Sequence, residues 1–312
     1  GIANLTVLYV AAFLVGTAET VYDSAARALL PQVVSRANLE RGNALLFTVE
    51  SVGDRFAGAP LGAWLFVFAA ALPIWVDSAA YVLAAIVILT LPGRYRPERA
   101  ETTTLSADLR EGLGWLRRHT MLFPLMLTTG AEVIAYSMTS GVFVLYALES
   151  LELPETGYGL LLATGGFAAI VGSLTSPWLV DRLSRTVALG LSIAACSMAT
   201  FAMGVWPTQT VGFVAWFAGT FALAVYDVQI MSIRQAMIPE ELFGRVQGAY
   251  RTVIWGGIPL GTILGGAVGR ALDIPQVFVV SGIAGLITGG ASWWILHRNR
   301  AAIAAALEEN PA

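Results

Sequence analysis

The chain has 312 residues, of which 56% are hydrophobic and only 12% charged, with a net charge of −3 and a mean hydropathy of +0.70. A soluble domain carries about a quarter charged residues, so a water-soluble globule is excluded and lipid is the expected solvent for most of the surface. All 18 basic residues are Arg and none forms a basic run, so nothing here tracks a nucleic-acid backbone; the single Cys196, in an apolar run, rules out an internal disulfide or a multi-cysteine metal site.

Apolar runs of the length a membrane helix needs, about 20 residues, fall at 4–22, 44–68, 71–91, 122–147, 158–180, 187–206, 209–230, 247–270 and 275–296. They are long and continuous rather than ten-residue alternations, which favours helices over barrel strands. Pro73 and Pro207 mark very short turns, so the spans on either side should be antiparallel neighbours. Gly1 is followed almost at once by an apolar run with no signal-peptide pattern, and the expectation is a chain that starts in mid-protein.

Arg placement sets the orientation. Arg27, Arg36 and Arg41 follow the first span, Arg94, Arg96, Arg99, Arg110, Arg117 and Arg118 the third, Arg182 and Arg185 the fifth, Arg234 and Arg245 the seventh, and Arg298 and Arg300 the ninth. The opposite connections hold three Glu in "ESLELPET", no charge in "PTQ", and one edge Arg270. The positive-inside rule makes the Arg-bearing side, and with it the C-terminus, cytoplasmic. The longest connection, 92–120, starts irregular and continues as "LSADLREGLGWLRRH". There Leu105, Leu109, Leu113 and Leu116 share one helical face beside Trp115. This suits a short helix in the membrane interface or an amphipathic linker helix packed on the bundle; both readings stay open. The division is a partial N-terminal bundle at 1–91, a cytoplasmic linker at 92–120, a six-helix bundle at 121–297 and a tail at 298–312.

One polar, Arg-bearing segment occurs twice. After Tyr22-Asp23 come Arg27, Pro31, Arg41 and Asn43, then "GAPLG" at 58–62. After Tyr226-Asp227 come Arg234, Pro239, Arg245 and Gln247, then "GIPLG" at 257–261. A repeat of the same orientation implies two bundles related by an axis along the membrane normal. The second copy lies between the fourth and fifth helices of its bundle and the first between visible helices one and two. Equivalence then puts three further helices before Gly1, giving nine of an expected twelve spans.

Twelve helices in two parallel six-helix repeats around a long cytoplasmic loop resemble the major facilitator superfamily. "DSAARALLPQVV…LERGNAL" at 23–45, "RFAGAPLGAWL" at 55–65, "VDSAAYVLAA" at 76–85 and "YALESLELPETGYGLLLATGGFAAIVGSLTSPWLVDRLSR" at 146–185 are similar to its branch of siderophore exporters and macrolide or multidrug efflux proteins. The resemblance implies an all-α, two-bundle membrane fold. It also implies a bacterial inner-membrane location and a monomer that takes a small-molecule substrate, with protons as the coupling partner and no cofactor. One departure stands out: Gly58-Ala59-Pro60-Leu61-Gly62-Ala63 displaces the proline of the branch's antiporter motif.

Charges inside spans are costly and mark functional candidates. Glu50 and Asp54 share a face of the 44–68 span at i, i+4 spacing, with Arg55 rotated away. Asp77 lies one turn into the 71–91 span, Arg251 one turn into its own, and Glu132 near mid-depth of 122–147 with no basic residue within a turn. A carboxyl at such depth is a candidate proton carrier, or the anionic wall of a cavity for cationic substrates. Asp181-Arg182-Leu183-Ser184-Arg185 closes a cytoplasmic helix end. Asp181 with Arg182 and Arg185 suits a latch between bundles, or ordinary anchoring and surface pairing. Asp23 with Arg27, and Asp227 with Arg234, are further gate candidates; capping of the next short helix explains both Asp equally well. Gly257, Gly261, Gly265 and Gly269 form a small-residue ladder for close helix contact, and Gly282, Gly285 and Gly289 do the same on the last span. The aromatics Trp64, Phe66, Phe68 and Trp75 suit a substrate path or an interfacial belt. His119 and His297 lie at membrane edges without metal-ligand spacing, and there is no phosphate-cradling glycine loop. The reading is a secondary exporter, not an enzyme; an importer of a sugar or metabolite on the same fold, or a non-transporting membrane subunit or truncated remnant, are the alternatives.

Overall fold

The computed structural model describes residues 29–31, 33–35, 38–51, 53, 65, 68–69, 72–90 and 105–308. Among them every regular element is helical: α1 (Leu39–Ser51), α2 (Leu72–Leu89), α3 (Leu105–Arg118), α4 (Leu122–Ser140), α5 (Glu155–Leu183), α6 (Arg185–Val205), α7 (Gln209–Met237), α8 (Glu240–Ala271), α9 (Ile274–Arg298) and α10 (Arg300–Glu308). The span expected at 4–22 and most of the one at 44–68 lie outside the described residues, as do Asp23, Arg27, Asp54, Arg55, Trp64 and Phe66.

Helices α6 to α9, and Thr156–Leu183 within α5, are long and apolar enough to cross a membrane. Helix α4 passes the same test only together with α3, from which it turns by 106°. The reason is its polar face: Thr128, Thr129, Glu132, Ser137, Thr139 and Ser140 interrupt the apolar run. A short helical piece at Phe143–Leu145 and a π-helical turn at Tyr146–Ser150 prolong α4. The fully buried Tyr146 hydroxyl anchors that end by donating to the Met203 carbonyl of α6 at 2.7 Å.

Two helix ends differ from the sequence expectation. The boundaries expected at 230 and 247 are not breaks, because α7 runs on to Met237 and α8 begins at Glu240. The interruption is only Ile238-Pro239. Proline lacks the N–H that would continue the helix and pushes the preceding residue toward extended backbone, and Ile238 sits at φ −93, ψ 127. The polar segment between the spans is therefore helix, kept buried by tertiary packing that includes Gln229, Ser232 and Gln235.

Within the C-terminal half α6 packs on α9, α7 on α5 and α6, and α4 on α8 and α9. The apolar core has two parts. One lies toward the Arg-rich end around Leu122, Ile233, Val246 and Leu296; the other lies toward the opposite end around Tyr146, Leu161 and Phe278. The glycine ladder explains how α4 and α8 approach. A Cβ on Gly261 would overlap the Ile134 carbonyl, one on Gly265 the Met138 carbonyl, and one on Gly257 the Ile134 side chain; at Gly269 it would find ordinary contact. On α9, Gly282 and Gly289 meet Phe201 and Ile193 of α6 in the same way.

Helix α3 lays Leu109, Leu113, Trp115 and Leu116 against the core at the Arg-rich end. Arg245 of α8 fastens it, with Nε 3.0 Å from Asp108 and an Nη 2.6 Å from Glu111. The connection from α3 to α4 is capped by His119, whose Nδ1 accepts the Leu122 N–H at 3.1 Å. Burial pushes this imidazole below its ordinary value, in keeping with the neutral acceptor role.

Candidate functional site

Helix α1, from the N-terminal half, lies across the Arg-rich end of the C-terminal bundle and packs on α5 and α7. Its residues 40, 43, 44, 47 and 48 recur at helical spacing and so share one face. Glu40 accepts a hydrogen bond from Arg185 of α6 at 2.8 Å, with side chains 11% and 21% exposed. One turn further, the buried Asn43 amide donates to Ser232 Oγ at 3.2 Å and, more closely, to Gln235 Oε1. Thr48 Oγ1 and Ser173 Oγ of α5 lie 2.7 Å apart. Among the described residues a polar seam of four hydrogen bonds, from Glu40, Asn43 and Thr48, thus joins α1 to the C-terminal bundle.

Arg185 opens α6, and its ion-pair partner is Glu40, 145 residues away, rather than Asp181. Asp181 and Arg182 are exposed, and Arg182 leans over Trp178 at 5.9 Å. Asp181 acts against the pair. Burial holds the Glu40 carboxyl above the usual carboxylate range; the charge and hydrogen bond of Arg185 oppose this, and the Asp181 charge adds to the rise. Arg185 owes its aim to a one-residue turn. Ser184 separates α5 from α6 at φ 66, ψ 150, a conformation that is essentially glycine's and costs other residues about 1–3 kcal/mol.

Beyond this seam lies a cavity of ≈ 480 Å³, within the range of small-molecule sites, about 300–1,000 Å³. It is walled by α4, α6, α7, α8 and α9, with Asn43 and Phe47 contributed by α1. Glu132 of α4 faces it, and Ser292 of α9 donates to the Glu132 carboxylate. Ser292 Oγ also lies 2.7 Å from Thr128 Oγ1, so α9 fixes the carboxylate against α4. Asp227 and Arg234, read from sequence as gate candidates, line this cavity. Arg234 lies over the Tyr250 ring at 4.5 Å and Arg251 over the Trp255 ring at 4.0 Å. Glu50 is half-buried on α1, one turn beyond Phe47, and Asp77 is exposed on α2; neither is in the cavity wall. Trp75 and Phe68 are also exposed. Among the described residues no group of three or more His, Cys, Asp and Glu is placed to hold a metal ion.

Sequence reasoning missed Glu40, Ser173 and Ser292. Glu40 sits in "LERGN" as an ordinary acidic residue in a first helical turn, and only the fold brings it to Arg185. Ser292 follows an alanine in an apolar run, where a small hydroxyl carries no signal of its own. Asn43 was visible as part of the repeated segment.

The geometry is a helical bundle enclosing a cavity, with α1 packed on it at the Arg-rich end, and the sequence profile of the Major Facilitator Superfamily matches residues 125–311. The chain belongs to this superfamily. Its curated relatives include the multidrug efflux pump Tap of Mycobacterium tuberculosis, 23% identical over 92% of this chain and 69% of the pump. Another is the MFS-type transporter YvqJ of Bacillus subtilis, 23% identical over 86% of this chain and 65% of its own length. The superfamily chain described here thus spans about two thirds of these relatives. Among solved structures it is similar to a bacterial homologue of the iron transporter ferroportin in an outward-facing state. The TM-score there is 0.71 at 20% identity, covering 96% of this chain and 76% of the other. It is also similar to the human organic anion transporter MFSD10, with a TM-score of 0.72 at 18% identity over 86% and 67%. These likenesses establish an all-α, multi-pass membrane fold.

Proposed function

We propose that this chain forms the greater part of a secondary transporter that exports a small amphipathic molecule across a bacterial inner membrane by alternating access. The Arg-rich side and the C-terminus are cytoplasmic in this reading. The observation that carries it is a cavity walled by α4, α6, α7, α8 and α9 with a polar seam from α1 at its Arg-rich end. Substrate sites of repeat-built transporters sit near the midplane between the repeats, and one repeat rocks against the other around them. The efflux pump among the relatives supports export over import.

Glu132 is the coupling residue of this reading. It is an acid at mid-depth, open to the cavity and held by Ser292, so one site can exchange a proton for substrate as its access alternates. The test is uptake into inside-out vesicles with an imposed pH gradient. The unaltered protein should accumulate substrate and dissipate the gradient, and Glu132→Gln should fold yet do neither. Gradient-driven uptake that persists in Glu132→Gln removes the proton-coupling role. Accumulation only in right-side-out vesicles makes the protein an importer.

A further inference from the structure

The reading above leaves the substrate class open, and one patch of the cavity wall narrows it. Near the end of α7, Arg234 carries a guanidinium whose hydrogen-bonding capacity goes largely unused. Its side chain is half-buried, its Nε has no hydrogen-bond partner, and one Nη meets only the Met231 sulfur at 3.4 Å. Gln247 of α8 is in a similar position. It is 3% exposed, its Oε1 has no hydrogen-bond partner, and its Nε2 reaches the same sulfur at 3.9 Å. All three residues line the cavity.

A thioether is a weak acceptor. Two donors from two helices therefore converge on an atom that compensates neither for the water it has lost. Met231 is unbranched and adaptable, so it can withdraw before a better acceptor. The Tyr250 ring lies beneath the guanidinium at 4.5 Å, and a guanidinium stacked in this way still offers its edge, with parallel N–H groups, to a carboxylate. Among the described residues no carboxylate of the protein takes that edge. The other charges in the wall are accounted for. Asp227 and Arg251 already have interactions within the protein, and Glu132 is held by Ser292. Glu132 also lies at a different level. Leu122 of α4 and Ile233 of α7 share the core at the Arg-rich end, and Glu132 is about three helical turns further along α4. A cationic group placed at Arg234 would meet like charge, and an uncharged apolar one would leave both donors as they are.

We infer that Arg234 and Gln247 form an anion subsite and that the substrate carries a carboxylate, seated on the donors that the Met231 sulfur now occupies. The rest of the molecule is aromatic or apolar and faces the rings of Phe47, Tyr250 and Trp255. This rests on the transporter reading and deepens it by naming the charged group of the substrate.

The test uses the full chain in lipid nanodiscs, with empty nanodiscs as the blank, and three probes: biphenyl-4-acetate, its methyl ester, and the 4-biphenylmethyl-trimethylammonium cation. In titration calorimetry the carboxylate should bind at least about tenfold more tightly than the ester or the cation, as a hydrogen-bonded charge pair gives. Arg234→Gln should abolish that advantage while leaving ester affinity within about threefold, and Arg234→Lys should restore part of it. Gln247→Glu sets a carboxylate of the protein beside the same guanidinium, so it should block the acid and spare the ester. That variant decides the matter even where Arg234→Gln fails to fold. Equal affinity for acid and ester, tighter binding of the cation, or an Arg234→Gln variant that weakens all three probes alike overturns the anion subsite. Export of the ester or the cation by vesicles alongside such a result leaves the transporter standing. Absence of both binding and flux for every probe overturns the two readings together.

Discussion

Replacing Arg185 by Gln should open the Arg-rich end, whereas replacing its partner Glu40 by Gln should not. The asymmetry follows from the environment. Arg185→Gln leaves the Glu40 carboxyl, 11% exposed, without its cation and hydrogen-bond donor. Orphaning one member of a fully buried pair costs about 3–5 kcal/mol. This pair is looser: a single hydrogen bond joins it, Glu40 Oε1 and an Arg185 Nη have no hydrogen-bond partner, and Arg185 keeps 21% exposure. The range for one hydrogen bond to a charged group, about 1.5–3 kcal/mol, is the fitting one. At 1.4 kcal/mol per tenfold, the closed-to-open ratio should fall roughly 10- to 100-fold. Glu40→Gln keeps an acceptor for Arg185 and removes the desolvation that dominates at this carboxyl, so the end should stay closed. Spin labels at the exposed positions Arg41 and Leu183, in a Cys196→Ala background, would report the distance distribution by double electron–electron resonance. An unchanged distribution in Arg185→Gln, or an equal opening in Glu40→Gln, refutes the argument.

The same carboxyl predicts a pH dependence. Glu40 holds its proton more tightly when buried than when opened to water, so proton uptake favours closure. That contribution is complete below the ordinary carboxylate value and fades as pH rises through the raised one. The closed fraction should therefore grow as pH falls, Glu40→Gln should flatten the curve, and Asp181→Asn should shift its midpoint downward; a curve unaffected by either change rules out Glu40 as its source. Gly265→Ala, which sets a methyl against the Met138 carbonyl, should destabilise by about 1–3 kcal/mol, whereas Gly256→Ala, in open space, should not; similar thermal melts for the two in detergent would contradict the packing. Ser184→Gly should relieve the left-handed turn and stabilise by about 1 kcal/mol, and a lower melting temperature would show that the serine is not strained. Arg245→Ala should raise amide hydrogen exchange in 105–118 while leaving α6 and α9 unaffected, because Arg245 is the ion-pair anchor of α3; unchanged exchange there means the leucine face alone holds the helix.

Much of the fold was legible because lipid imposes a length and a composition on each span. The runs at 158–180, 187–206 and 275–296 became α5, α6 and α9, and the turn at Pro207 joins α6 to α7 as expected. Helix ends were less legible. Ser232 and Gln235 read as a loop, but the stretch is helical and buried, with Asn43 donating to both. Within the site, Glu132 was visible because a lone acid at mid-depth is rare. The position of Arg234 was not. Whether a basic residue at a span's end faces a cavity or a gate depends on how far the helix continues and which ring it meets. Glu40 was hidden for a related reason: an acidic residue in a first helical turn is ordinary, and its partner is set by topology alone.

The glycine ladder bears on how such a cavity could tell one molecule from another while its surroundings move. With Gly257, Gly261 and Gly265 seated on Ile134 and Met138, α4 and α8 are in backbone-close contact, which favours Glu132 and the Arg251–Trp255 pair keeping their relative places. Asp227 and Arg234 share a single helix, so their separation is fixed by the helical rise. On the proposed transporter reading the site keeps its shape as access changes, and the seam at α1 sets when it is reached.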